Sequence, residues 1–493
     1  MGPMNLISRR DFLLKSAGVG GALMASRSVF AASRYRQIIG SNGDVRVGII
    51  GIRSKGAQHI EEFYKIPGVR VVALCDADLD ILHRETDKFS IRKEPVAAYQ
   101  DLRRLLDDPQ VDAVVIATPN HWHSLAAIWA CQAGKDVYVE KPVSHTVWEG
   151  RKLVEAARKY NRIVQAGTQN RSDTGFREAI EFIRQGHIGK VLYAHGVWYK
   201  ERNPIGRVTQ PQPIPASVDY NLWTGPAKMQ PLMRKRLHYD WHWFWEYGDG
   251  EMANIGVHQI DDCRFALNLN HYPKRLWSLG GRFVFDDDGE TPNTHLTVLD
   301  YGDIPVIVQV RNLYRAKGQR AMDHLRGTRD GNVLQCEGGY FVGGRGGGSV
   351  YDNDKKRIKQ FPGDGGGQHQ ANFIDAVRSR RVQDLHGEIE QGHITSALCH
   401  LANIAHRIGR SADVDEIKAA VKDSGSEAQA AVESVIEHLL RNEVDLKKQP
   451  LTLGPWLAWD AEKERCVGPF AGKANKYLSR KKYRKPFVIP KNV

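Results

Sequence analysis

The feature that most constrains this chain is a series of short apolar runs separated by helical patterns between residues 44 and 168. Asp44–Gly51 is a continuous apolar run closed by glycine, and a helical pattern follows through Tyr64. Val69–Asp76 is a second run and ends on an acid; Val111–Thr118, Asp136–Glu140 and Ile163–Thr168 are the third, fourth and fifth. A strand exposed on one face alternates apolar with polar residues. Runs that are apolar throughout belong to strands covered on both faces, and strands separated by helices form a parallel sheet. Composition agrees. With 493 residues, 41% hydrophobic and 26% charged, the chain is neither disordered, collagen-like nor a multi-span membrane protein. Its length predicts two or three domains.

The junction of the first run with its helix is the most specific site. Gly51-Ile52-Arg53-Ser54-Lys55-Gly56 follows a strand and opens a helix, and Asp76 closes the next strand 25 residues after Gly51. This arrangement is close to the Rossmann dinucleotide fingerprint. Backbone N–H groups and the helix N-terminus bind pyrophosphate, and the acid takes the ribose hydroxyls. The departure is Arg53, which stands where the middle glycine belongs and is itself a candidate phosphate contact. A carboxylate at 76 disfavours a 2′-phosphate, so NAD is expected over NADP. Two further segments close strands at the sheet edge where such folds bind ligands: Thr118-Pro119-Asn120-His121-Trp122-His123 after the third, and Glu140-Lys141-Pro142 after the fourth. A lysine there can hydrogen-bond a substrate hydroxyl and relay its proton.

With these pieces in place, the sequence resembles the Gfo/Idh/MocA oxidoreductase family, which includes glucose–fructose oxidoreductase and inositol dehydrogenase. The resemblance rests on Gly51–Gly56, Asp76, Ala117–His123, Glu140–Pro142 and Gly256–Asp261, in the family's order over about 210 residues. It implies an α/β fold: an N-terminal Rossmann dinucleotide-binding domain and a C-terminal α+β domain with an open, mostly antiparallel sheet. It implies Lys141 and His258 as the catalytic pair, with Asn254 one helical turn before His258 and on the same helix face. Many family members carry Asp at that position. Asn orients an imidazole but cannot stabilise its cation by charge, so His258 is expected to be a weaker base than in an Asp–His pair. Cofactor contacts are expected at Gly51, Ile52, Arg53, Ser54, Gly56 and Asp76. Further contacts are expected at Thr118, Pro119, Asn120, His123, Glu140, Lys141 and Gln169. Arg171, Trp241, His242, Trp243 and His258 are expected to meet the substrate, because flat rings interspersed with acid and imidazole in His238–Tyr247 suit the faces and hydroxyls of a sugar. Phe244 and Trp245 read as core packing, and Asp261 as structural. No metal is expected, since His238, His242 and His258 lack the spacing of a metal site.

Beyond the first domain, Val191–Tyr199, Trp277–Phe285, His295–Leu299 and Ile304–Val310 read as longer alternating strands, with a hairpin signal at Tyr301–Asp303. Gly338–Gly348 and Gly363–Gly367 read as flexible loops. Helical patterns return at Gln370–Arg378, Gly392–Ile408 and Ala428–Leu440. The expected division is 1–31 as a signal peptide, 44–168 as the Rossmann domain, 169–410 as the α+β substrate and oligomerisation domain, and 411–493 as a C-terminal extension. Its tail from Lys473 to Val493 holds eight basic residues and no acid. That tail reads as an arm lying on the protein or a neighbouring subunit.

The leader adds an address. Ser8-Arg9-Arg10-Asp11-Phe12-Leu13-Leu14-Lys15, a weak apolar run from Ser16 to Ala25 and small residues at Val29–Ala31 match a Tat signal. The run is too short to cross about 30 Å of hydrocarbon. Periplasmic localisation is expected, with no membrane insertion of the mature chain. The net charge is +13, of which +3 lies in 1–31; an excess of that size does not by itself demand an acidic partner. Cys75, Cys131, Cys263, Cys336, Cys399 and Cys466 are scattered, which disfavours a disulfide scaffold or structural zinc site.

The functional expectation is an NAD(P)-dependent oxidoreductase acting on a sugar or glycoside hydroxyl, as a dimer or tetramer. The periplasm offers no free NAD pool to speak of, so the cofactor is expected to be tightly bound and recycled in place. The alternative is an NAD-dependent glycosidase, as in relatives of the superfamily that oxidise C3, eliminate the aglycone, add water and reduce again. A keto-sugar product marks the first, a free sugar plus aglycone the second. A sugar- or nucleotide-sensing protein without turnover is a third class, disfavoured by retention of both Lys141 and His258. Nucleic-acid binding is not expected, because the basic tail lacks an aromatic-interleaved surface.

Overall fold

The computed structural model describes residues 43–493; the expected signal peptide, 1–31, lies outside the described residues. A six-stranded parallel sheet is built from β1 (Val45–Ile50), β2 (Val69–Cys75), β3 (Ala97–Tyr99), β4 (Ala113–Ile116), β5 (Asp136–Val139) and β6 (Val164–Ala166). Their spatial order is 3-2-1-4-5-6. The five expected strands are all present, trimmed at their ends. β3 is additional: it has three residues, none of them buried, and so no apolar run to announce it. Val47, Ile49, Val114 and Val115 are completely buried. The order reverses between β1 and β4, so the C-terminal ends of these two strands part and leave a crevice.

The second sheet has twelve strands. They are β7 (Val191–Tyr199), β8 (Arg275–Gly281), β9 (Thr294–Asp300), β10 (Pro305–Arg311), β11 (Asp330–Cys336) and β12 (Gly339–Gly344). Then come β13 (Gly347–Asp352), β14 (Arg357–Pro362), β15 (Arg410–Ala412), β16 (Leu451–Leu453), β17 (Leu457–Asp460) and β18 (Arg465–Val467). Only β7 and β10 run parallel; the other pairs are antiparallel. Alternation along β10 sends Val306, Val308 and Val310 into a core shared with helices Gly256–Ala266 and Ile389–Arg407. Ile307 points to the opposite core, shared with helix Ser426–Arg441.

Two expectations change. Gly338–Gly348 is not a flexible loop: it forms β12, a tight turn and β13. Its glycines are there for space, since a Cβ on Gly339 would lie 2.1 Å from the Tyr351 carbonyl oxygen and one on Gly343 2.3 Å from that of Gly347. The 411–493 stretch does not stand apart either. β16 and β17 pair with β8. Phe487, Ile489 and Val493 then join Trp122 and Leu125 in a core of the first domain. The tail thus lies on the chain itself. All six cysteines are buried and unpaired. No helix among the described residues is long and apolar enough to cross a membrane.

Candidate active site

The turn after β1 is shaped by two glycines. Gly51 takes φ +78°, and a Cβ there would lie 2.8 Å from the Thr118 nitrogen; a Cβ on Gly56 would lie 1.8 Å from the Gly51 carbonyl oxygen. Neither position tolerates another residue without moving the backbone. Between them Ser54 sits at φ 42° ahead of the helix Lys55–Tyr64, a strained conformation of the kind found at binding sites. Arg53 reaches across the crevice and donates from Nη1 to the His238 carbonyl, 3.1 Å away. Asp76 accepts the N–H groups of Ile52 (3.0 Å) and Asp78 (3.1 Å). Burial nevertheless pushes its carboxyl up to about 6.

A cleft of about 470 Å³ runs from this turn to the second sheet. Gly51, Arg53, Ser54 and Asp76 line one part of it, with Thr118, Pro119, Asn120 and His123 from the end of β4. Glu140, Lys141, Gln169, Asn254 and His258 line it too. Ile52 and Gly56 lie outside the lining and build the turn from behind. A dinucleotide fits these residues: Gly51 and Gly56 let the turn close tightly on itself and on the end of β4, the helix Lys55–Tyr64 starts at the cleft, where Ser54 and Lys55 line it, and a carboxylate stands at the end of β2.

Glu140 and Lys141 follow β5 directly. The Glu140 carboxylate is buried, with Oε1 2.9 Å from His59 Nε2 and 2.9 Å from Gln169 Nε2. Burial pushes this carboxyl upward, but the His59 hydrogen bond and the Lys55 charge outweigh it and hold it well below the usual carboxylate range. Lys141 is lowered by burial, against the opposing pull of Glu140. Its Nζ donates to the Asn254 carbonyl oxygen at 2.5 Å.

His258 and Asn254 do not share a helix face. The helix Gly250–Asn254 ends, Ile255 breaks the path at φ −123° and ψ −40°, and a new helix runs Gly256–Ala266. The break frees the Asn254 carbonyl from helical pairing, and Lys141 takes it. Among the described residues the Asn254 side chain makes no hydrogen bond to His258. The imidazole Nδ1 is buried with no partner. Burial first, and then the Lys141 charge, push His258 down to about 3, so the ring is uncharged at neutral pH.

The aromatic segment divides. Asp240–Trp243 is a 3₁₀ turn. Trp241 and His242 line the cleft, stacked at 3.7 Å and 19°, and His242 Nδ1 lies 2.6 Å from the Tyr239 carbonyl oxygen. Trp243 lies outside the lining, 3% exposed. Arg171 is also outside it: its guanidinium is buried in a two-bond pair with Asp261, at 2.7 and 2.9 Å. The Arg171 charge is thereby taken up inside the second domain, and Asp261 is structural. Phe244 packs against a satellite core, while Trp245 lies under the Arg407 guanidinium.

Three further cleft residues were not among the expected cofactor or substrate contacts. His238 bonds Asp78 at 2.9 Å, tying the aromatic segment to the end of β2. Arg202, just past β7, donates from Nε to buried Glu251 at 3.0 Å and from Nη1 to the Tyr239 hydroxyl at 3.2 Å. Arg345 enters from the β12–β13 turn. Each is brought in by topology from a distant part of the chain. No group of three metal-ligating side chains occurs among the described residues.

Residues 45–168 match the oxidoreductase family, NAD-binding Rossmann fold, and residues 194–275 match that family's C-terminal alpha/beta domain. Both matches are to the Gfo/Idh/MocA oxidoreductase family. Among its relatives is the inositol 2-dehydrogenase of Salmonella typhimurium, 33% identical over 157 residues, which covers 31% of this chain and 46% of that protein. Another is a glycosyl hydrolase family 109 protein of Shewanella baltica, 30% identical over 220 residues, covering 40% of this chain and 47% of that one. The chain spans about half the length of the curated relatives it matches. Among solved structures, the WlbA dehydrogenase of Bordetella pertussis, in complex with NADH and UDP-GlcNAcA, aligns with a TM-score of 0.53 at 17% identity. That alignment covers 72% of this chain and 94% of that one, and at such identity it speaks for the fold alone.

Proposed function

We propose that this protein is an NAD-dependent oxidoreductase acting on a hydroxyl of a sugar or glycoside, with a cofactor that stays bound between turnovers. The observation that carries this reading is the shared cleft: Lys141 and His258 line the same cavity as the Gly51 turn and the Asp76 carboxylate. Gly51, Arg53, Ser54 and Asp76 would hold the dinucleotide, and the carboxylate at 76 favours NAD over NADP. Bound nicotinamide supplies a hydride acceptor and donor. The rest is the work of side chains. Lys141 keeps one N–H bond on the Asn254 carbonyl, which fixes its stem and leaves two for the substrate oxygen. His258, uncharged because it is buried, takes the hydroxyl proton. The stacked Trp241–His242 pair forms a wall for a sugar face. Glu140, anchored by His59 and Gln169, supports Lys141 from behind.

We also place the protein in the periplasm, exported folded and loaded through the twin-Arg leader, as a dimer or tetramer. A cofactor that cannot exchange must return its hydride to an external acceptor, to a second sugar, or to its own substrate. The last route makes the enzyme a glycosidase. That second reading is supported by the Shewanella glycosidase-family relative, whose alignment extends further along the chain than that of the inositol dehydrogenase. Mass spectrometry of the small molecules released from freshly purified protein should find NAD. Product analysis on a glycoside panel should then find a keto-sugar, or free sugar plus aglycone for the glycosidase. A native preparation that holds no dinucleotide and takes none up ends both readings.

A further inference from the structure

Arg345 stands at the tip of the β12–β13 hairpin and lines the cleft with Lys141, His242 and His258. The backbone fixes its place. Gly346 and Gly347 take φ +89° and +88°, and a Cβ on Gly347 would lie 1.9 Å from the Phe361 carbonyl oxygen. Buried Asp173 accepts the N–H groups of Gly346 (2.9 Å) and Gly365 (2.7 Å) and so ties the tip to the following loop. The Arg345 side chain donates from Nε to the Gly365 carbonyl at 3.1 Å. This braces the stem and leaves both Nη groups available.

The charge balance at this end of the cleft is uneven. Arg202 is matched by buried Glu251. Glu140 is engaged by His59 and Gln169. Arg345 makes no ion pair with any carboxylate among the described residues; its charge reaches Asp330 on β11 and also disfavours the His258 cation, but neither contact occupies its Nη groups. A guanidinium held by its Nε, with its outer N–H groups free, matches the paired oxygens of a carboxylate, sulfate or phosphate. The phosphate-binding turn of the dinucleotide site has cations of its own in Arg53 and Lys55, at Gly51–Gly56.

We infer that the substrate is an anionic sugar, bearing a carboxylate or a sulfate or phosphate ester that Arg345 grips while the reacting hydroxyl meets Lys141 and His258. This rests on the reading of the cleft given above. The test is calorimetric titration of the full-length purified protein with methyl glucuronide, glucose 6-sulfate, glucose 6-phosphate and methyl glucoside. At least one anionic probe should bind about tenfold more tightly than the neutral one, and the strongest of the three identifies the anion. Arg345→Gln should abolish that preference and Arg345→Lys should keep part of it. In the unaltered protein the preference should shrink as salt rises. Equal binding of all four probes, or a preference that survives Arg345→Gln, overturns the inference. So does loss of bound dinucleotide in Arg345→Gln, which would assign the arginine to the cofactor. A protein that carries NAD and oxidises neutral glycosides without regard to Arg345 removes this inference alone. Arg345-dependent anion binding in a protein that never holds a dinucleotide supports the anion site and removes the oxidoreductase reading alone.

Discussion

Lys141 and His258 can each be replaced by a side chain that cannot carry the proton. Lys141→Met and His258→Ala should each lower turnover by about 10²-fold or more, with bound cofactor retained; near-normal rates in both would reject the pair. Because burial holds His258 near 3, the acid limb of kcat/KM should fall well below the ordinary histidine range near 6.5. Asp76→Ala should cut the preference for NAD over NADP by about tenfold or more, the scale of a lost hydrogen bond to a charged group, read as the ratio of dissociation constants. Lys141, His258 and Asp76 were legible because each sits in a short motif at a strand or helix end. Arg171 and Trp243 were misread for physical reasons. The partner of Arg171 lies 90 positions away, beyond any local pattern. On a 3₁₀ turn of three residues per turn successive side chains stand about 120° apart, so Trp241, His242 and Trp243 cannot all face one side: the first two meet the cleft and Trp243 the interior.

At the scale of elements, the parallel strands were readable because apolar runs covered on both faces leave little choice of structure. The glycine-rich hairpin was not readable. Glycine marks both loose chain and tight backbone approach, and only the neighbours distinguish them. The turn after β1 offers a direct check. Gly56→Ala would place a methyl 1.8 Å from the Gly51 oxygen. The variant should keep its sheet, by circular dichroism, but lose released dinucleotide by absorbance and mass. Full retention of dinucleotide would mean that the cradle lies elsewhere. The break at Ile255 had no proline to signal it. It turns an expected side-chain pair into a main-chain bond from Lys141, so Asn254→Ala should disturb turnover far less than Lys141→Met.

Across the whole molecule, buried imidazoles govern the response to acid. His145, His195 and His258 are pushed down to about 3, and His242, His369 and His406 to about 4, in every case chiefly by burial. Unfolded histidine titrates near 6.5, so the unfolded chain binds more protons between about 6.5 and 3, and stability falls as pH drops through that window. Asp76, raised to about 6, opposes this with a single proton. Tm should therefore be level above pH 7 and fall steeply below 6.5; a Tm unchanged down to pH 5 would contradict the buried, uncharged rings. The tail is equally testable. Phe487 packs edge-on against Trp122 at 5.4 Å, and Arg480 bonds Glu246 at 2.6 Å close to the helix that carries Asn254. Phe487→Ala should cost about 3–5 kcal/mol, read by denaturant unfolding.

That same packing sets a timetable for synthesis. Trp122 and Trp129 leave the ribosome more than 350 residues ahead of Phe487. Residues 222–225 arrive first and cover one edge of Trp122, whose indole N–H donates to the Leu222 and Trp223 carbonyls, while the face that Phe487 takes stays open. Only when the basic arm arrives is that face sealed, so completion of translation and closure of this seam are a single event.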